Sequence, residues 1–326
     1  MSNLEQRPAE TLTGSVPSPR QSLWVLAPRD VPLGGTRAMH VRRTLPHRDL
    51  RTVGAWCFLD DYGPQEVVGA GAMQVPPHPH TGLQTVTWLL DGQVRHQDSL
   101  GNDQLVRPGE LNLMTAGRGI SHAETSPTGA TGDLCGLQLW VALPSERRDV
   151  EPDLGHHADL PVLHGEGFEA TVLLGSLMGA TSPAHAFTPI VGAEVELRAA
   201  AVVTLELERT YEHAVLALSD DVVVDGTPVE RAHLVHLSPG RPGLRLSAGR
   251  AAGRLLLLGG EPFDEELLMW WNFVARSHDE IVEAREEWMA AVAGAATRFG
   301  QVSAYDGAAL AAPAVPTSRL RPRRRT

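Results

Sequence analysis

The segment PPHPHTGLQTVTW, residues 76–88, sets His78 and His80 two apart with a proline between them. Residues i and i+2 of a β-strand point to one face, so an extended backbone here aims both imidazoles into the same space. Pro77 and Pro79 favour that backbone. Each also removes a backbone donor, which confines the segment to a sheet edge or a barrel rim. Further along, GRGISHAET repeats the arrangement, with His122 and Glu124 at the same spacing. Facing each other across a barrel, the two pairs would supply three nitrogens and one carboxylate oxygen, with positions left for water or substrate. Such ligands suit Fe(II), and also Mn, Ni, Cu or Zn, and need no thiolate.

The competing reading is that these histidines are incidental. The chain carries 14 of them, and His156–His157, adjacent in a polar segment, point apart and fit that reading. The second pair with matching spacing favours a metal. So does its approach through Gly117 and Gly119, which lets the chain turn tightly into the rim.

The elements that must position these residues are short strands. Apolar runs rich in Val, Leu and Thr recur between Gly, Pro and Asp punctuation, as in TVTWLL (85–90), ELNLMTA (110–116), CGLQLWVAL (135–143) and GRLLLLGG (253–260). Two blocks share this rhythm, which predicts two all-β barrels in tandem. The polar, proline-bearing stretch 148–162 reads as the linker between them. One long helix is expected over about 278–298, opened by a capping-box pair, Ser277 and Glu280. Residues 1–25 read as a disordered leader without signal-peptide architecture. Residues 301–326, ending in SRLRPRRRT, read as a disordered basic tail.

Composition narrows the chemistry. A net charge of −11 argues against a nucleic-acid partner, and no apolar run is long enough to span a membrane. The chain has no lysine, so all 28 cationic side chains are arginine. That removes Schiff-base, pyridoxal-phosphate and Walker-type chemistry. Two cysteines, Cys57 and Cys135, read as packing residues in a reducing compartment, with the cytoplasm as the expected location.

HPHTGLQTVTWLLDGQVRHQDSLGN, RPGELNLMTAGRGISHAE and GLQLWVALP together resemble the pirin family, a branch of the cupin superfamily. GAWCFLDDYGP upstream and GGEPFDEELLMWWNFVARSHDEIVEAREEW downstream resemble its flanking and C-terminal segments, so the likeness runs over roughly residues 30–300. It implies two cupin barrels of the double-stranded β-helix or jelly-roll type. A metal-binding barrel is expected over 26–147 and a metal-free one over 163–300, the latter carrying the helix. It also implies one iron (Fe2+/Fe3+) in the first barrel, held by His78, His80, His122 and Glu124. The second barrel offers His213 alone where a metal-binding cupin shows a pair, and His233 and His236 are expected to be structural.

The resemblance implies two kinds of function. Several pirin-like proteins cleave the flavonol quercetin with O₂, so an aromatic or enol substrate and O₂ are one expectation. Glu124 would then be the proton acceptor, with Trp56, Phe58, Met73 and Trp88 as candidate walls. Many pirins have Glu where this chain has Gln84, which cannot ionise; Gln84 and His96 are therefore candidates for orienting substrate, His96 being equally readable as a core histidine. The other expectation is a regulator whose iron state selects a protein partner without turnover. A third reading is a cupin that holds no metal.

Overall fold

The computed structural model describes residues 23–32, 40–67 and 73–324. The chain is built almost entirely of antiparallel strands, arranged as two cupin barrels with one C-terminal helix. In the first barrel, a seven-stranded sheet has at its centre the strands Leu83–Asp91, Asp133–Ala142 and Trp56–Glu66. A four-stranded sheet of Gln74–His80, Ile120–Thr125, Val94–Asp98 and Asp103–Val106 lies against it. The two are joined inside the barrel where Thr87 of the larger sheet meets Glu124 of the smaller. The second barrel repeats the plan with an eight-stranded and a four-stranded sheet.

The large sheets of the two barrels pack on each other, which explains why the central strands are buried on both faces. Leu83 to Leu89 are all buried. One apolar core runs through the junction, joining Trp56, Val86 and Trp88 to Leu174, Leu216, Leu256 and Leu258. The two tryptophans reach across with their indole N–H groups, Trp88 to Glu194 Oε2 at 2.8 Å and Trp56 to the Val191 carbonyl at 3.1 Å. Burying a ring of this size contributes roughly 5 kcal/mol as an upper figure, and the N–H partners remove the cost of burying its polar end. Glu212 of the second barrel accepts the Gly54 backbone N–H at 2.8 Å and pairs with His236 at 3.1 Å.

Several boundaries differ from those read in the sequence. Of the leader expected over 1–25, residues 1–22 lie outside the described residues. Leu23–Leu26 is a strand that pairs with Leu234–Leu237 of the second barrel. The linker expected over 148–162 contains the strand Asp153–His157, which pairs with Leu111–Thr115 in the first barrel. Its polar side chains hid it, because an edge strand half open to water need not look apolar.

The helix spans His278–Val292, shorter than the expected 278–298. Ser277 caps it by accepting the Glu280 N–H, while Glu280 reaches the N–H of Arg276 rather than that of Ser277. It stops at Gly294, whose φ of +97° suits glycine, with Gly294 N–H on the Ala291 carbonyl and Ala295 N–H on the Ala290 carbonyl.

Residues 301–324, expected to be disordered, are packed instead. Leu310 donates its N–H to Pro77 and accepts from the Trp288 indole, Arg285 donates to the Pro313 carbonyl, and Arg323 exchanges both backbone bonds with Leu267. The basic residues find acids far away in sequence, as Arg319 does with Asp279 and Arg324 with Glu266. No helix among the described residues is long and apolar enough to cross a membrane.

Candidate metal centre

Ile120–Thr125 is flanked by Gln74–His80 on one side and Val94–Asp98 on the other. Register then brings the imidazoles together. His122 stands opposite His78 on one neighbour and opposite Asp98 on the other, while Glu124 stands opposite His96. Gly117 makes the turn into this strand at φ +50°, where an added Cβ would sit 2.0 Å from the Val150 carbonyl oxygen, so only glycine fits.

His78, His80 and His122 are fully buried, and one ring nitrogen from each lies within 4.8 Å of the others. Burial holds His78 down to about 4. His80 and His122 are pushed well below the ordinary imidazole range, first by burial and then by neighbouring imidazoles. All three are therefore neutral at pH 7, the form that can ligate a cation.

Their orientation is fixed from behind. His78 Nδ1 lies 2.8 Å from the Pro76 carbonyl, His80 Nδ1 3.1 Å from the Asn272 carbonyl, and His122 Nδ1 3.2 Å from His96 Nδ1. His122 Nε2 is buried and has no hydrogen-bond partner among the described residues. A buried polar atom without a partner is costly in a folded protein, and a metal ion would satisfy it. Three neutral imidazoles with tied Nδ1 atoms and a lone pair left over on the fixed ring fit a transition metal.

Glu124 shares the strand and is buried, but it lies outside the three-nitrogen group; its Oε1 is 3.4 Å from Thr87 Oγ1. The single Thr87 hydroxyl proton has a nearer acceptor in Gln138 Oε1, at 3.0 Å. Both residues were missed in the sequence, although strand alternation from Thr87 could have found the inner face.

Gln84 and His96, the candidates for orienting substrate, are each tied to other groups of the protein. Gln84 Nε2 donates to Thr115 Oγ1 at 3.0 Å and to the His185 carbonyl of the second barrel at 3.1 Å. In a strand its odd-numbered neighbours, not Gln84 itself, face the histidines. His96 has both ring nitrogens engaged, Nδ1 with His122 and Nε2 with Asp98 at 3.3 Å.

Among the candidate walls, Trp56 and Trp88 face the second barrel, and Met73 packs with Tyr62 and Val75 in a separate cluster. Phe58 stacks on Trp140 at 4.0 Å, and Trp140 meets His80 edge-on at 5.2 Å. Arg43, bonded to Asp60 at 2.6 and 2.8 Å, covers the other face of Phe58 at 4.3 Å. Cys57 and Cys135 are buried and unpaired, and burial pushes the Cys57 thiol up to about 12. His213 is also buried, which lowers it to about 4.

Two tandem cupin barrels, the first with three converging imidazoles, define a bicupin with a candidate metal centre. Comparison with known proteins gives the family. Residues 36–141 match the Pirin family model and residues 192–294 match the Pirin C-terminal cupin domain, so the chain belongs to the pirin family. A Pseudomonas aeruginosa protein whose name carries a provisional quercetin 2,3-dioxygenase assignment is 41% identical, over 97% of this chain and 98% of that one. A pirin-like protein of Caulobacter vibrioides is 35% identical over 77% of this chain and 88% of its own length. A crystal structure of quercetin 2,3-dioxygenase from Acinetobacter baumannii superposes with a TM-score of 0.86 at 39% identity, covering 92% of this chain and 97% of that one.

Proposed function

We propose that His78, His80, His122 and Glu124 bind one iron ion, and that the loaded protein cleaves a flavonol or a related enol with O₂. The observation that carries this reading is the convergence of three buried, neutral imidazoles, with His122 Nε2 left without a partner. The names of the Pseudomonas and Acinetobacter relatives supply the substrate class.

The bound cation would lower the pKa of an enol hydroxyl and bring the substrate and O₂ together. Glu124 is the buried carboxylate on the strand of His122, and in this reading it takes the enol proton. Thr87, anchored by Gln138, then stands beside Glu124 Oε1 and keeps the adjacent wall in place. Phe58 and Trp140 provide an aromatic wall beside His80, of a kind that suits a flat aromatic substrate. Aerobic consumption of quercetin by iron-loaded protein, with His122→Ala as control, tests the reading. Fully metallated protein that leaves quercetin intact would overturn the enzymatic part.

One observation favours the regulatory alternative. His80 Nδ1 meets the Asn272 carbonyl, and Phe273, Phe299 and Leu310 of the C-terminal segment touch the same strands. A change at the metal could therefore reach that segment and a partner bound to it. Hydrogen exchange in residues 268–312, compared between Fe(II) and Fe(III) forms, would show such a response; identical protection would remove this alternative.

A further inference from the structure

We propose that Asp98 and His96 form a relay that sets the tautomer of His122 and presents its Nε2 lone pair to the metal. This rests on the reading of His122 as a ligand. Both are positioning residues, since neither would touch metal or substrate.

The relay starts in the turn DSLGN, residues 98–102. Asp98 Oδ1 accepts the N–H groups of Leu100 at 2.9 Å and Asn102 at 3.1 Å, and Oδ2 accepts the Asn102 side-chain amide at 2.8 Å. Asp98 is buried. All three of these groups donate, so Asp98 accepts with both oxygens, an arrangement that favours the ionised carboxylate. An ionised carboxylate can only accept. His96 Nε2, at 3.3 Å from Oδ2, must therefore donate, and in the relay this is the one proton the ring carries. Its Nδ1 is then a bare lone pair, 3.2 Å from His122 Nδ1. A hydrogen bond there requires the proton to sit on His122 Nδ1, which leaves Nε2 unprotonated. That is the atom found buried and without a partner.

The plain alternative is that Asp98 only holds the turn and His96 only fills space. It does not account for an unbroken chain of donors and acceptors ending on a bare nitrogen. It also predicts no change in tautomer when Asp98 is altered.

Asp98→Asn separates the two. The amide oxygen can still accept from Leu100 and Asn102, so the turn survives. Its NH₂ group now faces His96 Nε2, which must become an acceptor. His96 then donates from Nδ1, and His122 must move its own proton to Nε2, where a metal would have to displace it. Tautomers are read from two-dimensional ¹H–¹⁵N spectra of the metal-free protein at pH 7.5, and affinity from competition between the protein and a chelator for Zn(II).

The expected result is His122 protonated at Nδ1 in the parent and at Nε2 in Asp98→Asn, with Zn(II) affinity reduced about 10- to 100-fold. His96→Gln should stay within a few-fold of the parent, because its amide can accept from His122 and donate to Asp98; His96→Leu should not. His122 protonated at Nε2 in the parent, an unchanged tautomer in Asp98→Asn, or unchanged affinity would overturn the relay. A parent protein that fails to bind Zn(II) would sink the metal reading alone, since the tautomer comparison needs no metal and still decides the relay.

Discussion

Gln84 donates its side-chain amide to the His185 carbonyl at 3.1 Å, across the junction of the two barrels. Strand alternation therefore turns Thr85 and Thr87 toward the histidines and leaves Glu124 as the carboxylate available on His122's own strand. Glu124→Gln, nearly isosteric, should fold normally and keep part of its metal. Quercetin consumption per bound iron should fall by about 10²-fold or more, the scale for losing a positioned base. Gln84→Ala should change that rate far less. Equal normalised rates in the parent and Glu124→Gln would rule out Glu124 as proton acceptor.

Metal stoichiometry tests the ligand set directly. One equivalent of iron per chain is expected for the parent after loading and desalting. His80→Ala and His122→Ala should each retain a small fraction of it, because a site with two imidazoles loses both affinity and geometry. Elemental analysis showing parent-like iron in both variants would place the metal elsewhere.

The buried imidazoles also set a pH dependence for the metal-free protein. His78 and His213 titrate at about 4 in the folded chain, against 6.5 for an ordinary imidazole. Above 6.5 both states are neutral and neither residue contributes. Between 6.5 and about 4 the unfolded chain takes up protons that the folded chain refuses, so stability falls as pH falls. The slope approaches about 1.4 kcal/mol per pH unit for each such histidine. Urea unfolding at pH 7, 6 and 5 measures it, and His78→Gln should flatten the slope. A parent midpoint that does not move over this range would contradict the assignment.

The barrel junction gives a stability prediction unconnected with metal. A Cβ at Gly192 would lie 2.8 Å from the Trp56 ring, whose indole N–H reaches the Val191 carbonyl at 3.1 Å. Gly192→Ala should displace that ring and cost about 1–3 kcal/mol, read as a lower urea midpoint. An unchanged midpoint would mean that the junction yields more easily than its packing indicates.

The pairing of the candidate ligands was legible because strand parity is a local rule: His78 with His80, and His122 with Glu124, needed only spacing, and the fold brings the three imidazoles together. Gln84 was read as near the site from the family resemblance, and parity alone does not say which face of its strand is inside. H-Q-D at 96–98 has the same i, i+2 spacing as H-P-H, yet its partner, His122, lies on another strand and so is invisible to local reading. The tail was misread for the same reason. Arg319 and Arg324 are neutralised by Asp279 and Glu266, contacts that no window of sequence contains. The helix end at Gly294, by contrast, could have been placed from the glycine alone.

The strand Leu23–Leu26 precedes the first barrel in the chain but is hydrogen-bonded into the second. At the other end, Leu310 follows the second barrel and bonds to Pro77, on the first barrel's histidine strand. The polypeptide is thus laced, each half gripping the other by main chain at opposite ends. A protease that cuts between His157 and Val162 would sever the covalent connection without freeing either barrel, and neither half expressed alone would own a complete set of strands and coverings.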